Sequence, residues 1–370
     1  MRFRMTVSSK LQQLTSLRIT HTKLPVSDEV IYLVPPLKAL TRLVELRLDF
    51  SAKYYVSTDA LSTLEHLTIL ALAAETDYMV YLEGAGLAGM TNLRILSLAS
   101  CIGTGVSTSP GRCGGYGDEC ILQYLPQLQQ LRHLHMRGSL HGQSPYSTMT
   151  AAAYSALTSS SALQSLSLTN CKVPPGVWQH MFSTGKQITS LTSLDLDGVV
   201  QRTEGLQPEG GRQVVYSLAA APTGTCLAGC CPSLQIVNMH NLECTAEGLA
   251  SLQGLGSLRQ LVVQPAMPAD SQSDLKVFQA LCQLTQLRCL VLYDKVPEGL
   301  LPLQLTQLQG LTVLAITPRL LAKGHDGQDL NVRQVRTIGY PTICACVSWD
   351  FSICSRLPLE IFSKRKILPS

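Results

Sequence analysis

The stretch ITSLTSLDLDGV, residues 188–199, spaces its leucines three apart at Leu191 and Leu194 and then two apart at Leu194 and Leu196. An amphipathic helix places apolar residues at steps of three and four, and a half-buried strand alternates them strictly. This segment changes from one period to another within six residues. The same change recurs along the chain. LxxLxL cores, with conservative replacements, fall at 14–19, 43–48, 67–72, 93–98, 131–136, 163–168, 191–196, 234–239, 258–263, 287–292 and 311–316. Most are preceded by further leucines at steps of three, as in LSTLEHLTILAL (61–72) and LTQLQGLTVLAI (305–316).

Eleven copies at intervals mostly between 24 and 32 residues resemble the leucine-rich repeat family, whose units span roughly 20–29 residues. The resemblance covers residues 11–319. It implies an α/β fold, a curved solenoid or horseshoe of about eleven coils. A parallel sheet would line the concave face, with short helices and loops on the convex face. In each coil the LxL pair lies on a short strand whose alternate side chains point inward. The leucines at steps of three climb the opposite wall and point into the same interior. A coil burying six or seven apolar side chains gains ~2 kcal/mol from each, against ~1–2 kcal/mol of backbone ordering per residue. One coil alone therefore loses, and stability belongs to the stack.

In the family's usual pattern an asparagine or cysteine stands three residues after the second strand leucine, where it satisfies backbone groups at the strand exit. Here those positions are Thr22, Ser51, Glu75, Cys101, Ser139, Cys171, Val199, Leu242, Ala266, Lys295 and Arg319. Only Cys101 and Cys171 fit, which predicts looser coils toward the C-terminal half. Three long intervals predict insertions near 102–121, 140–161 and 199–231, rich in Gly, Pro, Ser and Thr. Within the last, VVYSLAAA predicts a helix. Residues 1–10 form a short lead, and 320–370 a tail without repeats, partly capping and partly disordered. With the first coil so close to Met1, the chain is expected to be a portion of a longer array.

Apolar residues make up 45% of the 370, enough for a large core, while aromatics supply only 5%, so leucine and small residues must fill it. The net charge of +4 sits entirely in residues 318–370, which hold eight basic and four acidic residues. Upstream of that tail there is no cationic surplus of the kind that nucleic-acid binding needs. The start, MRFRMTVSSKLQQL, has no apolar stretch long enough for a secretory signal. It is basic and acid-free, as organelle transit peptides are, but Leu11, Leu14, Leu17 and Ile19 already follow the repeat. Residues 213–242 lack Asp, Glu, Lys and Arg, yet Pro222, Pro232, Gln235 and Asn238 are too polar or too disruptive for a spanning helix. Thirteen cysteines, an odd number without an export signal, suit a reduced cytoplasmic pool.

Chemistry-bearing motifs are few. GAGLAG (84–89) matches GxGxxG, but a repeat core follows it and no acidic residue appears before Asp118. Cys226, Cys230, Cys231, Cys244 and His240 are close in sequence, yet their spacing is not that of paired zinc ligands; the cysteines are predicted in a loop and His240 on a strand. Cys344, Cys346 and Cys354 lack a fourth neighbour. No GxSxG, HExxH, P-loop, paired CxxC or kinase signature occurs. The reading is therefore no enzyme, no cofactor and no resident metal. The alternative is an enzyme or zinc-dependent module built on the 199–231 insertion.

Exposed strand positions on the concave face supply the candidate contacts: Arg18, Arg47, Asp49, Arg132, His135, Arg137, Asp195, Asp197, Asn238, His240 and Tyr293. Positive character gathers at the fifth coil and negative character at the seventh. Modest charge of mixed sign suits a protein partner rather than a polyanion, a membrane or a small-molecule substrate. The expectation is a cytoplasmic protein-interaction scaffold. The resemblance admits a cytoskeletal or axonemal setting in a cilium, or a substrate adaptor of a ubiquitin ligase.

Overall fold

The computed structural model describes residues 12–22, 31–32, 37–50, 54–56, 61–74, 80–104, 119–138, 150–206, 212–265, 271–293 and 307–317. The lead 1–10, the tail 320–370 and most of the first two insertions (105–118 and 139–149) lie outside them.

Eleven inner strands form one parallel sheet in strict chain order, one strand per coil. From coil 1 to coil 11 they are Ser16–Thr22, Glu45–Phe50, Ile69–Ala74, Ile95–Ala99, His133–Arg137, Ser165–Thr169, Ser193–Asp195, Ile236–Cys244, Gln260–Pro265, Cys289–Tyr293 and Val313–Thr317. The first strand leucine is in register through the whole sheet, from Leu17 and Leu46 to Leu290 and Leu314, with Val237 at coil 8 the single replacement. Side chains alternate between buried and partly exposed along these strands, as in coils 2 and 3. That alternation puts the leucine column in the core and leaves the residues between them on the concave face.

The period of three has a direct cause. Leu64 N–H donates to the Leu61 carbonyl (2.9 Å) and Leu67 N–H to that of Leu64 (3.0 Å); Leu87, Met90 and Leu93 repeat the arrangement, as do Leu252, Leu255 and Leu258. Successive three-residue turns eclipse side chains at i and i+3, so every third residue faces the core. All nine side chains are at most 1% exposed. The period of two begins where the chain straightens into the sheet.

One carbonyl in each coil then ties it to the next. Val44 accepts from Thr68 and Ile69 N–H, Thr68 from Arg94 and Ile95, and Arg94 from Arg132 and His133. The series continues without a break to Arg288, which accepts from Thr312 (2.8 Å) and Val313 (2.9 Å). The expected loosening toward the C-terminal half is absent from these ties. Regularity depends on this backbone clasp, which asks nothing of the side chain three residues past the strand.

The strand exit has its own regularity. Two residues after the second strand leucine the backbone turns left-handed, at Ser100 (φ 55°), Gly138 (86°), Asn170 (54°), Gly198 (65°) and Asn241 (56°). Glycine and asparagine are the residues that tolerate this conformation most readily. The asparagines are thus present, one position earlier than expected. Cys171 does behave as anticipated: its thiol donates to the Met136 carbonyl at 3.3 Å. Val199 and Leu242, at the equivalent position, are buried in the core.

The convex side departs from helices and loops alone. In the first four coils the chain returns through a second parallel sheet of short strands, Ile31–Tyr32, Tyr54–Val56, Val80–Glu83 and Cys101–Thr104. Alternate side chains of these strands (Tyr54 and Val56, Val80 and Leu82) are fully buried. The Tyr54 hydroxyl donates to the Ala73 carbonyl (3.0 Å), and its ring meets Phe50 edge-on. Later coils return through short helices at Val177–Met181, Gly224–Cys230 and Ala246–Ala250 and a longer one at Ser271–Cys282.

The third insertion also differs from expectation. VVYSL is a strand: Arg212–Leu218 pairs antiparallel with Val200–Leu206, which itself pairs with Lys172–Val173. β-branched and aromatic residues prefer that conformation, and the short outer strand Lys172–Val173 offers an edge to extend. Trp178 Nε1 anchors the return by donating to the Ala220 carbonyl at 2.6 Å. No helix among the described residues is long and apolar enough to cross a membrane.

Candidate binding surface

The concave face is a grid set by register. His135, Ser167, Asp195 and Asn238 occupy one level on coils 5 to 8, and they are joined by hydrogen bonds. The Ser167 hydroxyl lies 2.9 Å from His135 Nδ1 and donates to Asp195 Oδ2 at 3.0 Å. Asp195 Oδ1 accepts from Asn238 Nδ2 (2.9 Å) and from the Asp197 N–H (3.2 Å), and Asn238 Oδ1 accepts from the His240 N–H (3.0 Å). Ser167 and Asn238 are buried although they belong to the concave side. Asp195 is held between them, with both oxygens engaged.

A serine between a histidine and an aspartate invites a catalytic reading, but the proton order opposes it. With Asp195 ionised, the single hydroxyl proton of Ser167 goes to the carboxylate, so His135 Nδ1 must donate to Ser167. An activated nucleophile needs the histidine to accept that proton. The row positions side chains and does not arm the serine.

One level farther along the strands, Arg137 is in register with Thr169. The next coil continues with Asp197, whose carbonyl accepts from Asn170 N–H, and then His240, whose carbonyl accepts from Gly198 N–H. Asp197 Oδ1 lies 2.9 Å from His240 Nδ1 and accepts from Asn241 Nδ2 at 3.1 Å. The Tyr293 ring, two coils on, leans back to within 3.9 Å of the His240 ring, centroid to centroid.

The remaining sequence-predicted residues stand apart from this cluster. Arg18 is in register with Arg47, whose Nε meets Glu45 Oε1 at 2.5 Å; that bond holds the Glu45 carboxyl below its usual range. Asp49 lies two positions beyond Arg47, beside Ala73. Arg132 and Arg137 are exposed at the two ends of the coil-5 strand. The grid thus gathers His135, Asp195, Asn238, Asp197, His240 and Tyr293, and it adds Ser167 and Asn241. Asn241 carries its own signal, an asparagine at the left-handed strand exit.

Burial depresses the basicity of His133 and His135, helped by Arg132 and Arg137 respectively, and pushes the Asp195 carboxyl up. For the histidines, the unfolded chain binds more protons than the native one from the native pKa up to the ordinary 6.5. Stability therefore rises with pH across that window and falls on acidification. Asp195 has the opposite sign, losing stability as pH rises from 3.8 through its native value. The denaturant midpoint is expected to fall as pH drops below about 6.5. His135→Asn, which cannot titrate there and keeps a donor for Ser167, should flatten the fall in an equilibrium unfolding series. An unchanged slope would contradict the assignment.

The cysteines singled out for zinc are not in a loop. Cys226 and Cys230 lie on the helix Gly224–Cys230 on the outer wall, with Cys231 at its end. The Cys230 thiol donates to the Ser183 carbonyl at 3.1 Å, and burial pushes the Cys231 thiol up to about 12. Zinc needs thiolates, and this setting disfavours them. Among the described residues no three His, Cys, Asp or Glu side chains converge to hold a metal ion. GAGLAG is wall as well: Gly84–Leu87 is a 3-10 helix with Leu87 in the core.

No family model and no curated protein matches the sequence. Solved structures do. An internalin from Listeria monocytogenes is 18% identical, with a TM-score of 0.43 and 83% of each chain covered. A leucine-rich repeat protein of Leptospira interrogans is 15% identical, with a TM-score of 0.46, and the match covers 83% of this chain and 70% of that one. A plant peptide hormone receptor, solved with its peptide, is 13% identical at a TM-score of 0.39; the match spans 84% of this chain and 48% of the receptor. Likeness at that level concerns fold alone. The molecule's own geometry shows that fold: eleven LxxLxL coils stack one leucine column through one parallel sheet, the architecture of a leucine-rich repeat solenoid.

Proposed function

We propose that this chain is a non-catalytic scaffold that binds a protein partner through its concave face, in the cytoplasm. The observation that carries the reading is the hydrogen-bonded row His135–Ser167–Asp195–Asn238, which fixes side chains from four coils before any partner arrives. Side chains ordered in advance reduce the entropy lost on association. A cytoskeletal or axonemal scaffold and a ubiquitin-ligase substrate adaptor both fit such a surface, and the identity of the partner decides between them. The odd number of cysteines supports the cytoplasmic setting.

Affinity capture with the tagged full chain tests the surface. Ser97→Trp and Thr169→Trp put bulk on the inner strands of coils 4 and 6 without touching the core. Together they are expected to weaken the captured complex about tenfold or more. Gln253→Trp on the exposed outer wall should leave it unchanged. Equal recovery by the inner-face and outer-wall variants would remove the concave face from the account.

A further inference from the structure

The concave face is electrically polarised over a short distance, and this specifies what lies across it. Arg132 and Arg137 are exposed on coil 5 and enter no ion pair among the described residues. Two coils on, Asp197 uses Oδ1 for His240 and Asn241, while its second oxygen has no partner among the described residues; its side chain is 29% exposed. Among the described residues the one cationic group paired with it is the His240 imidazole, and then only if protonated. Beside it stands the His240–Tyr293 ring pair, an aromatic surface on which a guanidinium stacks while its N–H groups reach the carboxylate. Thr169, uncharged and half-buried, separates the two ends.

Resting on the concave face as binding surface, we infer that the partner lays an extended segment across the strands, with a carboxylate over Arg137 and an arginine or lysine over Asp197. The spacing follows from the sheet. Neighbouring strands are ~4.8 Å apart, so coil 5 to coil 7 is ~10 Å. In a polyproline-type extended chain, residues three apart share one face and lie ~9.3 Å apart. The recognised pattern is therefore an acidic and a basic residue separated by two others. A uniformly basic or uniformly acidic segment meets like charge at one end.

The test is selection from a random dodecapeptide library on the immobilised full chain. Peptides of this length are too short for stable helix in water, so an extended register is available to them. The expected result is enrichment of opposite charges three positions apart. The doubly exchanged chain, Arg137→Asp with Asp197→Arg, keeps the net charge. It should bind the originally selected peptides about tenfold more weakly and select the pattern with its order reversed. Asp197→Asn, which keeps an acceptor for Asn241, guards against misfolding of that variant and should remove only the basic half of the pattern. Absence of the spacing, or the same pattern on the exchanged chain, overturns the inference. Peptides that lose binding to Thr169→Trp but show no charge pattern sink this inference and leave the concave-face reading standing. Peptides indifferent to Thr169→Trp sink both.

Discussion

Gly224→Ala is expected to lower the stability of the chain by about 3 kcal/mol or more, an unusually large loss for one methyl group. A β-carbon at this position would stand 2.2 Å from the Ser251 carbonyl carbon, 2.3 Å from the Leu252 nitrogen and 2.5 Å from the Ser251 oxygen. All three are backbone atoms of the next coil, so no rotamer change relieves the clash. The close approach exists because the helix Gly224–Cys230 of one coil is seated on the 3-10 helix Ser251–Gly254 of the next. Gly224 N–H donates to Ser251 Oγ at 2.6 Å, and that hydroxyl donates onward to the Gly248 carbonyl at 2.7 Å. Gly254→Ala meets only the Ala228 methyl, at 2.9 Å, and should cost less. Equilibrium denaturation of the two variants checks the order. A Gly224→Ala protein within 0.5 kcal/mol of the parent, the range of an ordinary surface change, would mean the outer walls do not interlock.

Leu194→Ala carries the second large effect. Leu194 is the coil-7 member of the leucine column, fully buried, in register with Leu166 before it and Val237 after it. Truncation removes core contacts and leaves a cavity shared by three coils, for a loss of about 2–5 kcal/mol. Val44→Ala is the control, because the Val44 side chain is exposed, 40% accessible; it should change stability by less than about 0.5 kcal/mol. Because the interior is common property, the damage should spread. Amide protection is expected to fall in the inner strands of coils 6 and 8 as well as coil 7. Loss confined to coil 7 would show that the coils do not depend on one another.

The inner sheet was legible in the sequence because two periods meet in every coil, each with one geometric cause: three-residue turns for the first and strand alternation for the second. The outer sheets were legible only in fragments. Tyr54 and Val56, or Val80 and Leu82, alternate over too few residues to separate a strand from a loop. The antiparallel pair Val200–Leu206 and Arg212–Leu218 is hard to read locally because VVYSLAAA has the length and apolarity of a helix. Its β-branched start and its neighbour VVQRT, which extends the outer wall, pointed the other way. Asn170 and Asn241 stand one position before the family's usual asparagine site, and their left-handed backbone is the feature that turns the chain out of the sheet.

The concave grid was legible as columns and not as bonds. Spacing alone places Asp195 and Asp197 on one face and suggests two similar contacts. The structure separates them: Asp195 is enclosed by Ser167, Asn238 and the Asp197 N–H, while Asp197 engages one oxygen and leaves the second without a partner among the described residues. That distinction comes from neighbours 28 and 43 residues away in sequence, which no local pattern brings together.

Native-state hydrogen exchange in rising sub-denaturing urea tests the stacked architecture most directly, since it reads the opening free energy of each inner strand. If the interior is shared, the strands of coils 3 to 10 converge on one opening reaction, with coils 1 and 11 fraying ahead of them. Strands that open one coil at a time, each with its own unrelated free energy, would contradict the claim that no coil is stable without its neighbours.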